Sequence, residues 1–471
     1  MPKPLILHPD RLFPAEPRTR DIARALYASV RDLPIVSPHG HTDPRWFAYD
    51  EPFANPAELL IVPDHYVFRM LFSQGVRLDE LGVPTVDGSA TASDPRAIWR
   101  IFAANYHLFR GTPSRMWLDW VFAEAFGIDV RLEAETADHY YDLIDAALKT
   151  PQFRPRALFD RYNIEVIATT EGPLDPLDHH RAIRASGWGG KVVTAYRPDP
   201  VLDPDDPKFI ANVQRFCAMA GEDAGSYAGY LRAHEKRRAD FRAAGATSTD
   251  HGHPSAFTAN LPRAEIEALY ARVTTGPVSA AAAELFRGHM LTEMARMSIE
   301  DGMVMQLHPG VHRNHNAAVL ARFGKDKGAD IPTAGEFVTA LKPLLDLYGT
   351  DPRLTLILFT LDEDVYSREL APLAGHYPAL KLGPPWWFHD SPEGMRRFRE
   401  RATETAGFYN TVGFNDDTRA FLSIPARHDV ARRMDCGWLA QLVVEHRMEE
   451  DEAFEVARAL AYDLVKQAYK L

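Results

Sequence analysis

Cysteine is nearly absent: the chain holds two, Cys217 and Cys436, far apart and neither in a Cys-x-x-Cys pattern. A disulfide framework and a zinc ribbon both need closely spaced cysteines, so neither is indicated, and a reducing compartment fits best. Also missing is any apolar stretch long enough to cross a bilayer. The N-terminal run MPKPLILHPDRLF is broken by His8, Pro9 and Asp10 before it could act as a signal-peptide core. A cytoplasmic protein without membrane contact is expected. No cluster of Lys and Arg offers a footprint for nucleic acid, and the net charge of −12 is spread without an acidic tail. The expected partner is a small molecule. There is no internal repeat or low-complexity tract. What remains is a 471-residue chain, 46% hydrophobic and 25% charged, able to bury a large core like an ordinary soluble enzyme.

Short β-branched runs, each followed by a longer helical pattern, recur from Leu33 onward, as in a parallel sheet with crossover helices. Eight can be read: Pro34 to Pro38, Ile164 to Ala168, Lys191 to Ala195, Ala244 to Thr249, Met303 to Leu307, Leu354 to Phe359, Ala379 to Leu382, and Asn410 to Phe414. Eight alternating runs predict an α/β fold of the closed (β/α)8 TIM-barrel type, although the fourth and seventh are weak in pattern. The first crossover is far longer than one helix, with helical signals at Pro56 to Leu60, Val67 to Phe72, Pro95 to Leu108, Pro113 to Phe126 and Ala134 to Ala147. Residues 42–162 therefore read as a helical subdomain inserted after the first strand, and residues 1–41 with 163–471 as the barrel. The segment Asp223 to Ala244, dense in Arg, Lys and Glu, reads as a solvated helix face.

Catalytic groups of such barrels project from the carboxyl ends of the strands, and here those ends are polar. The first run ends in Ser37-Pro38-His39-Gly40-His41. Residues two apart in an extended segment share a face, so His39 and His41 can converge on one ion. The third run ends in Arg197, the fourth in Asp250-His251-Gly252-His253, the fifth in His308, the seventh in Trp386-Trp387 and the eighth in Asp416-Asp417-Thr418-Arg419. In a closed barrel the eighth strand neighbours the first, which lets Asp417 complete a His, His, carboxylate set with His308 facing it across the mouth. Taken singly, each residue has a plainer reading. Two histidines at a strand end are often turn residues, Arg197 suits a surface, the tryptophans suit a core, and Asp417 suits a helix cap.

The stretches LYASVRDLPIVSPHGHTDP, PDHYVFRML, VIATTEGPLD, VVTAYRPDP, MQLHPGVHRNHN, PPWWFHDSPEGM and GFNDDTRAFLSIPARH resemble, in order, landmarks of the glucuronate (uronate) isomerase family of the amidohydrolase superfamily. The resemblance implies an enzyme interconverting D-glucuronate and D-fructuronate, and D-galacturonate and D-tagaturonate, through a cis-enediol. It implies one divalent metal, zinc first among the candidates, on His39, His41 and Asp417. It also implies substrate or catalytic roles for His65, Tyr66, Arg197, His308, Trp386 and Arg419, and a homo-oligomer. Asp417 would then serve as carbon base and Tyr66, paired with Arg419, as oxygen-proton shuttle. Arg197 would grip the substrate carboxylate, His65 and His308 would orient hydroxyls or polarise the carbonyl, and Trp386 would wall the pocket. Glu171-Gly172 and Thr42-Asp43 depart from the family pattern and bear on substrate preference.

The rival reading on the same fold is a metal-dependent amidohydrolase or lactonase. Its binuclear form needs a bridging lysine near the end of the fourth strand, and Ala244 to His253 contains none, whereas a mononuclear form with His308 as third nitrogen ligand meets no such objection. A non-catalytic sugar-acid binder would keep Arg197 and Trp386 without needing His39, His41 and Asp417 together.

Overall fold

A computed structural model describes residues 2–471. Seven strands form one parallel sheet in the order β1 (Ile35–Ser37), β2 (Ile164–Glu171), β3 (Lys191–Tyr196), β4 (Ser248–His251), β5 (Val304–Leu307), β8 (Leu356–Leu358) and β9 (Leu380–Leu382). Between β5 and β8, the two-residue strands β6 (Val311–His312) and β7 (Ile331–Pro332) pair as a small antiparallel ribbon. Every residue of β1, β4, β5 and β8 is buried, as expected where both faces of a parallel sheet are covered.

The sheet curls. Val36, Val166, Val193, Val304, Ile357 and Val412 belong to one buried cluster, whereas Val192, Leu356 and Leu358 face outward into the helical layer. The eighth run contributes a single parallel bridge, Thr411 to Leu382. Two residues on, Gly413 takes a φ of +74°, and Leu460 O lies 2.6 Å from where a Cβ would sit. A left-handed residue at that spot turns the chain out of the ladder. The first and last runs nonetheless meet at the mouth, where the His41 N–H donates to the Thr418 carbonyl at 3.0 Å.

Two sequence readings are corrected. The fourth strand starts at Ser248 rather than Ala244, because Gly245, with φ +95°, ends the preceding helix. Asp250 and His251 are therefore the last residues of the strand, not the loop after it. The charged segment forms the helix Tyr227–Ala243, but its face is not wholly solvated: Arg238 is 1% exposed and bonds Asp301 and Ser298, and Arg237 donates to the carbonyls of Pro173 and Asp175. A buried guanidinium is tolerable only with such a complete set of acceptors.

Between β1 and β2 the chain is helical. Asp43-Pro44, Asn55-Pro56, Asp94-Pro95 and Thr112-Pro113 each start a helix with a side-chain cap followed by proline at the first turn, where its missing N–H costs nothing. These helices pack around Trp99, Phe102, Tyr106 and Phe122 in a cluster that also takes in Ile164, Ile167 and Val192 of the sheet and Phe421, Leu422 and Ile424 beyond it.

Candidate active site

A cavity of about 420 Å³ opens at the carboxyl ends of the strands. His39, His41, His65, Arg197, His308, Trp386, Asp417 and Arg419 all line it. At its floor, Asp417 Oδ1 lies 3.1 Å from His41 Nε2 and 3.6 Å from His39 Nε2. The local chain explains the meeting. His39 and His41 leave β1 on one face, and Asp417 sits in the left-handed region, at φ 38°, a conformation Asp adopts more readily than most residues. Its neighbour Asp416 turns the other way and takes His428 Nε2 at 3.1 Å. Burial pushes the Asp417 carboxyl up, but the adjacent His39 and His41 outweigh it and hold the group well below the usual carboxylate range. Burial likewise holds His41 below its ordinary value, against the pull of Asp417.

Three donors so placed fit a metal ion. With bonds of about 2.1 Å and tetrahedral or octahedral angles, ligand atoms on one ion stand about 3.0–3.4 Å apart. The 3.1 Å separation falls in that range and the 3.6 Å separation lies just above it, and Asp417 Oδ1 is buried without a well-aligned hydrogen bond. Behind His39, Gln306 Nε2 lies 3.4 Å from Nδ1, while Gln306 Oε1 accepts the Tyr469 hydroxyl at 2.9 Å.

Asp250 is the residue the sequence reading passed over. It has no exposed surface, and it joins Arg197 Nη1 (2.9 Å) to His308 Nδ1 (2.8 Å). Burial alone would raise its carboxyl, but Arg197, His308 and His39 hold it well below the ordinary range. His308 is thereby fixed by Nδ1, stacks on His39 at 4.9 Å and leaves Nε2 buried without a partner. Arg197 also binds Asp199 through Nε at 2.9 Å, so its guanidinium enters the cavity already held by two carboxylates. The signal available in the sequence was the polar run after the fourth apolar segment.

Tyr66 alone among the candidates does not line the cavity. The sequence reading paired it with Arg419, but its hydroxyl donates to Asp390 Oδ1 at 2.8 Å and accepts the Phe388 N–H at 3.1 Å. Asp390 is in turn paired with the buried Arg427 at 2.7 Å through Oδ2, while its Oδ1 accepts the hydroxyl. Burial, then Asp390, raise the Tyr66 hydroxyl well above its ordinary value. Arg419 instead faces Asp326 at 3.4 Å. His65 opens the helix His65–Ser73, capped by Asp64, and its ring meets Trp387 at 4.2 Å, next to Trp386 in the wall. Burial, then Arg419, keep His65 well below its ordinary value and therefore neutral. Glu171 faces away from the cavity, taking the hydroxyls of Thr169 and Thr194, and burial pushes it up to about 7.

A family model described as glucuronate isomerase matches residues 18–469. A uronate isomerase of Rhizorhabdus wittichii is 69% identical over 468 residues, 99% of each chain. Among solved structures, a glucuronate isomerase from Caulobacter crescentus superposes with a TM-score of 0.98 at 62% identity, covering 99% of this chain and 98% of its own. A uronate isomerase from Thermotoga maritima gives 0.91 at 25% identity, covering 98% and 99%.

Proposed function

The chain belongs to the glucuronate isomerase family, and from that premise we propose that the cavity at the strand ends is where it interconverts an aldose uronic acid and its ketose. It is an aldose–ketose isomerase. The observation that carries the site assignment is the meeting, in one cavity, of the His39, His41, Asp417 set with the guanidinium groups of Arg197 and Arg419 and an aromatic wall.

Isomerisation moves a proton from C2 to C1 through a cis-enediol and another between the two oxygens. The histidines approach Asp417 through Oδ1, which leaves Oδ2 to take the C2 proton and return it to C1. Arg197, braced by Asp199 and Asp250, meets the substrate carboxylate with its remaining N–H groups, and Arg419 adds a second positive charge to the cavity. The neutral rings of His65 and His308 orient hydroxyls and polarise the carbonyl, and Trp386 excludes water. The oxygen-proton transfer we assign to Tyr66, whose ring packs at 4.9 Å on Trp387 of the cavity wall. One divalent ion on His39, His41 and Asp417, zinc first among the candidates, would supply a Lewis-acidic template for the substrate carboxylate and its neighbouring hydroxyl.

The same proposal reads the curled sheet as a (β/α)8 TIM-type barrel of the amidohydrolase superfamily, with residues 42–162 as an inserted helical subdomain that lends His65 and Tyr66 to the site. A cytoplasmic location and a homo-oligomeric state belong to it as well. D-Glucuronate and D-galacturonate are its expected substrates. Incubation with each sugar deuterated at C2, followed by NMR, should show ketose with deuterium moved to C1 or exchanged into solvent. Asp417→Asn, with metal content confirmed unchanged, should lose at least about a hundredfold in rate. An Asp417→Asn enzyme that moves the label at the wild-type rate would remove Asp417 as the carbon base.

A further inference from the structure

We infer that Asp199, His251 and His253 form a second divalent-metal site, behind Arg197 and separate from the cluster at the cavity floor. The three residues come from two adjacent strand ends: Asp199 follows β3 at the start of a short helix, and His251 and His253 flank Gly252 at the end of β4. One ligand atom from each lies within 4.8 Å of the others.

The histidines give the independent observation. His253 is 5% exposed, and neither of its ring nitrogens has a partner; its Nε2 points toward Asp199, 4.0 Å from Oδ1. His251 has no exposed surface. Its Nε2 is engaged by the Thr249 hydroxyl at 3.1 Å, which fixes the ring and leaves Nδ1 buried and unpartnered. Three orphaned nitrogens on two adjacent buried imidazoles are a large departure from the rule that buried polar atoms are satisfied, and an ion held with the Asp199 carboxylate would take one nitrogen from each ring. Burial holds His253 below its ordinary value and His251 down to about 3, so both rings offer lone pairs rather than protons. Local charge also favours a cation. Asp199 and Asp250 flank the single guanidinium of Arg197, leaving one negative charge in excess, while Arg287 is already taken by Asp203 and Asp205.

Two imidazoles and one carboxylate suit zinc, cobalt or manganese rather than calcium or magnesium, and three protein donors leave a coordination position for water. An ion there would anchor Asp199, which binds Arg197 Nε and the Gly252 N–H, and so would act as a positioning centre for Arg197.

The test uses the full chain, freed of metal with a chelator and titrated with zinc and with cobalt(II), with magnesium and calcium as controls. Bound equivalents are read by elemental analysis and by the cobalt absorption bands. His253→Asn should bind one equivalent fewer than wild type. The double variant H39A/H41A should still hold one equivalent, which is lost when His253→Asn is added. Equal stoichiometry and affinity in wild type and folded His253→Asn overturn the proposal, as the nitrogens then face only water. If His253→Asn does not fold, the double variant decides: no tightly held equivalent in H39A/H41A overturns the proposal equally.

Discussion

Asp250 makes no direct claim on substrate, yet it fixes two groups that do, through Arg197 Nη1 and His308 Nδ1. An amide in its place keeps the volume but offers one acceptor instead of a charged pair, so Arg197 loses a brace and His308 the anion that sets its tautomer. Asp250→Asn should therefore lower kcat/KM for the uronic acid about 10- to 100-fold with an unchanged circular dichroism spectrum. Activity within twofold of wild type would show that Asp199 alone suffices to hold Arg197. This residue was legible only in part. His39 and His41 announce themselves by same-face spacing, and Asp417 by following the eighth run. Asp250 lies within a strand whose start was misread, so its side chain had no predicted direction. Tyr66 shows a second limit: its partner, Asp390, lies 324 positions away, and no local pattern links the two.

At the scale of elements, seven of the eight runs became strands; burial on both faces leaves a strong apolar mark on β5 and β8, whereas β4, Ser-Thr-Asp-His, is buried but polar. The eighth failed as a strand for a backbone reason, the left-handed Gly413, that hydrophobicity does not report. Helix starts in the long first crossover were readable because cap and proline are adjacent in sequence. What that reading did not reach is the sharing of one hydrophobic cluster between these helices and β2, β3 and the segment from Phe421 to Ile424. Trp99 sits in that cluster with no exposed surface and donates Nε1–H to the Ala137 carbonyl at 3.0 Å. Trp99→Ala should cost about 3–5 kcal/mol, and because the cluster is shared the loss should appear as a shift of the main urea transition. A separate early transition confined to the crossover, with the rest unchanged, would refute the coupling.

For the whole molecule, the buried Glu171 makes stability depend on pH. Its carboxyl is raised from 4.5 to about 7, so the folded state binds a proton that the unfolded chain has released across that interval. The stability this contributes is complete below about 4.5 and is lost as pH climbs through about 7, on the order of 3 kcal/mol in all. Glu171→Gln cannot titrate. Urea unfolding at pH 5 and pH 8 should show wild type losing stability relative to Glu171→Gln at the higher pH, and a constant difference would exclude the carboxyl as the cause.

The link from His39 through Gln306 to Tyr469 bears on how the protein is made. Synthesis runs from the N-terminus at about 5–20 residues per second, so His39 and His41 leave the ribosome on the order of a minute before Tyr469 does. Through that interval the histidine pair exists without the Asp417 carboxylate beside it and without the hydroxyl that braces Gln306. The nascent chain thus carries an incomplete chelate, and the pocket takes its final form only after Asp417 and Tyr469 have been translated.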